Sequence, residues 1–319
     1  MAGPVSESRC RTPRPENRGR LRRTQRLSYA ERVRIDRILA TGRPSFSFEF
    51  FPPKTPAGEA ILLETIEELR PLEPSYVSVT YGAMGSNRGQ VIELVTKIKH
   101  EIGLEAMAHL SCTGHTQEEL ASVLDRLAAA GLDNVLALRG DPPKGEVFQA
   151  VPGGFAHACD LAAMIRKRWS FCVGGAAYPE VHPDAPDAET DLANLVAKVR
   201  AGADFLITQL FFSTRDYLDF VPRARAAGIG VPIIPGIMPI TDVAQIKRMS
   251  TMCGARMPAD LVARLERADG NPAAVLKIGV DHATEQCRDL LAHGAPGIHF
   301  YTLNKSPATR QVLSALRGA

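Results

Sequence analysis

The sequence predicts a single (β/α)8 TIM-type barrel of the α/β class, preceded by a disordered basic arm, and three observations point to it. Eight short β-rich runs recur between residues 45 and 303. Helical patterns separate them, which implies parallel strands covered on both faces. About 250 residues for eight such units is the ordinary size of a barrel, whereas an open doubly wound sheet more often has five or six strands.

The elements follow in order. Residues 1–30 hold eight Arg, no Lys and two Glu, so the net charge of +3 conceals a basic arm on an acidic body. With Pro, Ser and Gly among those arginines and little to bury, residues 1–26 are expected to be disordered. The barrel domain then spans 27–319 and opens with a helix at about 28–40. Strands are expected at 45–51, 76–81, 105–112, 134–139, 171–178, 204–212, 232–238 and 297–303. Helical spacing fills 60–69, 89–102, 116–130, 158–168, 188–201 and 217–227, with one longer stretch from 243 to 292. Gly103, Gly131, Gly202 and Gly228 each follow a helix, and Thr116 and Asp187 stand at N-cap positions. No second domain and no internal repeat is visible.

Composition narrows the function classes. No apolar run approaches the ~18–20 residues that cross a bilayer, and the N-terminus has no apolar leader core, so a cytoplasmic protein is expected. The pair Arg22-Arg23 is followed by an amphipathic segment, which argues against twin-arginine export. Six scattered cysteines without a C-x-x-C argue against a disulfide framework, a zinc site or an iron–sulfur site. His109 and His115 form H-x5-H with His182 far away, and the first strand lacks the H-x-H of barrel metallohydrolases, so no metal is expected and the histidines read as hydrogen-bonders. The arm offers charge to nucleic acid or an acidic partner, but a dispensable tail explains it as well, and nucleic acid is not expected to be a partner.

In S-F-S-F-E-F-F-P-P, alternation sends Phe46, Phe48 and Phe50 to one face and Ser47, Glu49 and Phe51 to the other. Glu49 is thereby driven among apolar neighbours, close to the strand end set by Pro52 and Pro53. A buried lone carboxylate escapes its cost by holding a proton at neutral pH, which would leave an acid ready to give it away. Chemistry in barrels gathers at the C-terminal strand ends, where this sequence places Glu49, Thr80, Tyr81, His109, Arg139, Asp141, Tyr178, Gln209, Tyr301 and Asn304. The L-R-G-D run admits both a site and a simple Arg139–Asp141 salt bridge. On the helix after strand five, Asp191, Asn194 and Lys198 share a face, as an ordinary solvated ion pair or as a ribityl or phosphate contact. Neither G-x-G-x-x-G nor G-x-x-x-x-G-K occurs, so any dinucleotide is held without a Rossmann turn.

Seven motifs in order, F-E-F-F-P-P-K, V-S-V-T-Y-G, L-R-G-D-P-P, A-A-Y-P-E-V-H, I-T-Q-L-F-F, I-I-P-G-I-M-P and H-F-Y-T-L-N, resemble the methylenetetrahydrofolate reductase family over about residues 45–310. The resemblance is to its short bacterial form. It implies bound FAD, NADH or NADPH as co-substrate, and reduction of methylenetetrahydrofolate to methyltetrahydrofolate, for methionine synthesis, in two half-reactions that share one site. By resemblance, Glu49 is the acid that protonates the departing folate nitrogen, and Asp141 the carboxylate that stabilises the resulting cation beside the flavin. Matching flavin contacts are Tyr81, Ala83, His109, Arg139, Gly140, Asp141, Ala158, Ala176, Tyr178, His182, Ala185, Asp191, Asn194 and Lys198. Thr80 and Gln209 match nicotinamide contacts, Gln209 also serving folate, and Gln245 matches a folate contact. Three residues depart from the family pattern: His157 replaces a flavin-contacting Tyr, Met249 a covering Phe, and Lys305 the Arg that meets the folate tail, with loss of Arg's bidentate fork. The expected partners are the small-molecule folate and further copies of the same chain in a homo-oligomer, and no membrane.

Two other readings stay open. Another flavin barrel, such as one resembling proline dehydrogenase, shares the architecture but has no need of Glu49. The other is a barrel that binds folate, or an acidic partner through residues 1–26, and does no chemistry.

Overall fold

In a computed structural model, the described residues are 33–81, 88–142, 146–305 and 307–318. The chain divides into Met1–Glu31 and Arg32–Ala319. The arm expected at 1–26 and the first part of the helix expected at 28–40 lie outside the described residues, as do Ala83 and residues 143–145.

All strands are parallel and follow one another around the sheet: β1 (Ser45–Phe50), β2 (Tyr76–Val79), β3 (Ala106–Ser111), β4 (Asn134–Leu138), β5 (Cys172–Ala177), β6 (Phe205–Thr208), β7 (Ile233–Ile234), β8 (Gly236–Ile237) and β9 (Gly297–Tyr301). The expected seventh strand is interrupted at Pro235, which has no N–H to give a ladder. Its first half, β7, pairs with β6 and its second half, β8, pairs with β9. Eight strand positions thus form a nearly closed β/α barrel. Side chains stitch the seam: the Gly236 N–H donates to Thr208 Oγ1 at 2.9 Å, and the Tyr301 hydroxyl donates to the Thr208 carbonyl at 2.6 Å. A Cβ on Gly236 would come within 2.6 Å of the Tyr301 ring, so the seam requires glycine there.

Helices α2 (Pro56–Leu69), α3 (Arg88–Lys97), α4 (Gln117–Ala129), α5 (Ala158–Arg168), α6 (Ala188–Arg200) and α7 (Thr214–Ala226) separate the first seven strands. The first of these begins earlier than expected, because Thr55 caps it and Pro56 takes the first turn. Thr116 forms a capping box with Glu119, and Asp187 accepts from the Thr190 N–H at 2.7 Å, as expected of both. The stretch expected as one helix from 243 to 292 is three, α8 (Val243–Cys253), α9 (Ala259–Ala268) and α10 (Pro272–Ala292). Left-handed Gly254, then Pro258, then Gly270-Asn271-Pro272 break it, and a separate apolar cluster of Leu210, Met238, Val243, Ile246, Leu261 and Leu265 holds it to the barrel. A last helix, α11 (Pro307–Arg317), follows β9 and lies beyond the expected elements.

The alternation expected along β1 is observed. Phe48 and Phe50 are fully buried in the layer between sheet and helices, with Phe46 packed against it, while Ser47 and Glu49 point inward. A short helix, α1 (Ile35–Leu39), plugs the N-terminal floor, its Ile35 and Leu39 packing on Tyr76, Met107, Cys172, Phe205 and Ile234 inside the ring. The Asn134 side chain fastens the plug, accepting from the Ile35 N–H at 2.8 Å and donating to the Val33 carbonyl at 2.9 Å. With the floor filled, the cavities described below lie toward the C-terminal strand ends. Among the described residues no helix is long and apolar enough to cross a membrane.

Candidate active site

At the C-terminal mouth a cavity of about 440 Å³ has Glu49, Thr80, Tyr81, His109, Arg139, Gly140, Asp141, Ala158, Ala176, Tyr178, His182, Lys198, Gln209 and Met249 in its walls. A second cavity of about 280 Å³ adjoins it between α5 and α6 and adds His157, Ala185, Asp191 and Asn194. Arg139, Ala158, Ala176, Tyr178, His182 and Lys198 belong to both, so the two spaces meet at a cationic neck. The structure therefore brings together the expected ligand contacts except three. Lys305 lines a further cavity of about 220 Å³ that shares Tyr301 with the main one. Gln245, in the first turn of α8, is not in the main cavity wall. Ala83 lies outside the described residues.

Glu49 sits at the closed end. Its Oε2 is 3.2 Å from Nε2 of His299 and 3.4 Å from Nε2 of His109, and its side chain is 11% exposed. The loop after β9 holds the end of β1 in place. Thr302 Oγ1 donates to the Glu49 carbonyl at 2.6 Å, and the Asn304 amide both accepts from and donates to the Phe51 backbone. Leu303 and Asn304 adopt left-handed φ values of 53° and 57° to make that turn. For Asn this conformation is inexpensive, for Leu it is strained.

The expectation that burial leaves Glu49 protonated is not met. Burial does push the carboxyl up, but the facing His109 and the hydrogen bond to His299 push it further down, and it lies below its ordinary value. His109 itself falls to about 4, because burial outweighs the pull of Glu49 and His299 adds to the drop. The hydrogen bond to Glu49 comes from His299. This histidine opens H-F-Y-T-L-N, a motif that by itself assigns it no role. The parallel register of β1 and β9, which sets His299 beside Ser47, was the signal that would have found it.

The L-R-G-D run departs from the simple salt bridge. Arg139 donates to Asp184 Oδ2 at 2.7 Å, not to Asp141, and its guanidinium lies over the Phe148 ring at 4.9 Å. Asp141 is left at the cavity wall, where its charge helps raise the Tyr178 phenol and the Cys253 thiol, both raised mainly by burial. Gly140 has φ +83°, and a Cβ there would meet Ser111 Oγ at 2.0 Å, so the loop turns where only glycine fits. On α6, Lys198 donates to the Ala176 carbonyl at 2.5 Å and Asp191 accepts from the His182 N–H at 3.1 Å, so the two do not form the expected solvated pair. Burial lowers Lys198 to about 8, against the opposing pull of Asp191. His115 bonds Thr113 and Tyr81 through its two nitrogens, the hydrogen-bonding role expected of the histidines.

A nearly closed β/α barrel with an acid at the closed end of a cleft and cations at its neck belongs to the barrel enzymes by architecture. The family model for methylenetetrahydrofolate reductase matches residues 34–317. The chain is 41% identical over 295 residues to methylenetetrahydrofolate reductase (NADH) 1 of Arabidopsis thaliana, covering 89% of this chain and 50% of that one. It is 38% identical over 275 residues to 5,10-methylenetetrahydrofolate reductase of Escherichia coli, covering 86% of this chain and 91% of that one. It thus spans about half the length of its plant relatives and most of the bacterial one. Among solved structures, an uncharacterized protein from Clostridium thermocellum that binds two copies of 5-methyl-5,6,7,8-tetrahydrofolic acid aligns with TM-score 0.63 at 16% identity, over 89% of this chain and 97% of that one. This likeness supports the barrel fold. The chain belongs to the methylenetetrahydrofolate reductase family.

Proposed function

We propose that this protein reduces methylenetetrahydrofolate to methyltetrahydrofolate with a nicotinamide donor and FAD. The carrying observation is the buried Glu49–His299 pair at the closed end of a cleft whose neck bears Arg139 and Lys198. The residues fit a flavin dinucleotide. His109 Nε2 is buried without a hydrogen-bond partner and faces the larger cavity, so it calls for a polar group from a ligand. The two cavities, of about 440 and 280 Å³, share a neck whose positive charge suits a diphosphate. Thr80, Tyr81, His109, Gly140 and Asp141 would border the ring system, Arg139, His182 and Lys198 the diphosphate, and His157, Ala158, Ala185, Asp191 and Asn194 the remainder. When bound, FAD supplies the two-electron carrier that links donor and folate.

The chain's own residues do the rest. Glu49 passes a proton to the folate nitrogen that departs as the five-membered ring opens. Asp141, at the wall of the same cavity, stabilises the iminium cation left behind. Gln209 and Met249 line the side from which nicotinamide and folate enter in turn, and Lys305 offers its charge to the folate's acidic tail. The plant relatives' names make NADH the first donor to try. A cytoplasmic homo-oligomer completes the reading, on the resemblance alone. The test is anaerobic: the yellow protein is bleached by NADH and re-oxidised by methylenetetrahydrofolate. A purified protein that takes up no FAD would overturn the proposal.

A further inference from the structure

Gln209 stands just past β6, on a stretch that leaves the sheet without leaving the core. Leu210, Phe211 and Phe212 are all buried, but β6 ends at Thr208, so no ladder reaches their carbonyls. Buried carbonyls need partners, and two side chains of α10 supply them. Gln286 Nε2 donates to the Phe211 carbonyl at 3.0 Å, and His282 Nε2 donates to the Phe212 carbonyl at 3.0 Å. Four residues apart, they share one face of the helix. Gly279 lies on that face too, and a Cβ there would come closer than 3 Å to three backbone atoms of Ile240. The helix is thus pressed against the turn that leads into α8, which carries Gln245 and Met249. The Gln209 amide is tied to the same buried stretch: Oε1 accepts from the Leu210 N–H at 2.8 Å. A backbone N–H can only donate, so this bond fixes which end of the amide faces the chain, and it leaves Nε2 for Tyr178 and for a ligand in the cavity.

We propose that His282 and Gln286 are positioning residues for Gln209, acting through the carbonyls of Phe212 and Phe211 to hold its amide toward the cavity. This rests on the proposed folate reduction, in which Gln209 meets nicotinamide and folate in turn. Neither α10 side chain is in the wall of the two cavities at the mouth, so their effect reaches a ligand only through the loop. Without a donor, a buried carbonyl is left unpaired, and the penalty is relieved by turning its peptide toward water or another donor. That turn carries Leu210 with it, and the Gln209 amide swings with the Leu210 N–H. The flavin-side residues on β4, β5 and α6 hang on other supports, so the effect is confined to the side where the two substrates enter.

The first readout needs neither flavin nor turnover. In hydrogen exchange of the full chain, His282→Leu combined with Gln286→Met should speed the amides of residues 210–213 by about tenfold and leave those of β4 and β5 at wild-type rates. Unchanged exchange at 210–213 would overturn the proposal. In the loaded enzyme, the same double variant should raise the half-saturating concentrations of NADH and of methylenetetrahydrofolate on the order of tenfold, with limiting rates within about threefold. FAD affinity, read from flavin fluorescence, should stay within about twofold of wild type. If the double variant does not fold, His282→Leu alone decides, with a rise of about threefold for both substrates. His282→Gln keeps an N–H donor of similar reach and should behave as wild type. A lowered unfolding temperature with wild-type half-saturation in the folded protein would reduce both residues to fold stability and refute the positioning role, as would His282→Gln behaving like His282→Leu. Gln209→Ala separates the levels. If it leaves both half-reactions intact, the underlying reading of Gln209 fails, whereas impairment of both with the α10 variants unaffected defeats this inference alone.

Discussion

At the N-terminal floor, Lys99 bonds Glu105 at 3.0 Å and Asp133 at 3.3 Å, Glu105 accepts from Asn134 at 2.8 Å, and Arg34 and Arg166 both reach Asp204. At the C-terminal rim, Glu49 has one hydrogen-bonded imidazole, a second imidazole lies 3.4 Å away without a partner, and an open cavity takes the place of a plug. Both ends bury ionisable groups of both signs. The floor closes its network on itself and gains a fastening for α1. The rim leaves donors and acceptors unfinished, and unfinished buried polar groups are tolerated where a ligand completes them. Among the described residues, three groups at the floor have metal-binding chemistry, and they too are engaged: Asp36 and Asp204 by Arg34 and Arg166, and Cys172 Sγ by the Asp36 N–H at 3.4 Å.

The sharpest way to break this comparison is to remove the acid. Glu49→Gln keeps the shape and removes the group that can carry a proton. The folate half-reaction is expected to fall by roughly 10²–10⁴, while bleaching by NADH continues, as followed by stopped-flow absorbance. Stability should change little, because the rim is not where the fold is fastened. Equal damage to both half-reactions would put Glu49 in a structural role and erase the distinction between the ends.

The converse substitution acts at the floor. Lys99→Met leaves Glu105 and Asp133 buried without their cation, a change that costs about 3–5 kcal/mol when nothing relieves it. Glu105 already lies above its ordinary value, mainly through burial, so it takes up a proton and moves the loss toward the low end of that range. Urea unfolding at neutral pH should show the loss. The sign follows from the proton: the deficit against wild type shrinks as pH falls and Glu105 is neutralised. The half-reactions of the folded fraction should be unaffected.

How much of this was legible in the sequence divides along the same line. Elements that follow from local chemistry were readable: the Thr116 capping box, the glycine stops at 103, 131, 202 and 228, and the inward alternation of Ser47 and Glu49. The gathering of rim residues was readable too, since strand ends in a barrel converge whatever the loops do. The break of 243–292 into three helices was present in Gly254, Pro258 and Pro272, yet the apolar spacing on either side concealed it. What stayed hidden depends on residues far apart in sequence. His299 lies 250 positions from Glu49 and meets it only through the β1–β9 register, so no motif around either residue reports the other. The expected protonation of Glu49 failed for that reason: burial was visible in F-E-F-F, and the imidazoles were not. Arg139 pairing with Asp184 instead of Asp141 is the same kind of miss, set by a loop 45 positions away.

The rim also predicts an acid weakness of its own. His109 has a folded value of about 4 against about 6.5 for an unfolded histidine. Above pH ~6.5 both states are neutral and the group contributes nothing. Between roughly 6.5 and 4 the unfolded chain binds a proton that the fold refuses, so stability drops as pH falls through that window, by at most about 3 kcal/mol. His109→Gln should flatten this part of the profile in denaturant titrations taken at stepped pH. A variant profile as steep as wild type would assign the acid sensitivity to other groups.

The smallest expected effect tests the neck between the two cavities. Lys198 packs over Gly175, donates to the Ala176 carbonyl and is lowered to about 8 by burial, so in the empty protein it is a cation below that pH and neutral above it. An anionic ligand favours the charged form, and binding is therefore expected to weaken as pH rises through about 8, with the ligand's own charge moving the change upward. Lys198→Met keeps most of the stem that fills the space beside Gly175 and removes only the charge. FAD affinity, read from flavin fluorescence during reconstitution, should fall by about tenfold, the worth of one charge-assisted contact, and lose most of its dependence on pH above neutrality. If Lys198→Met bound FAD as tightly as wild type with the same pH profile, the diphosphate would have to sit elsewhere. The cationic neck would then be a closed network like the one at the floor.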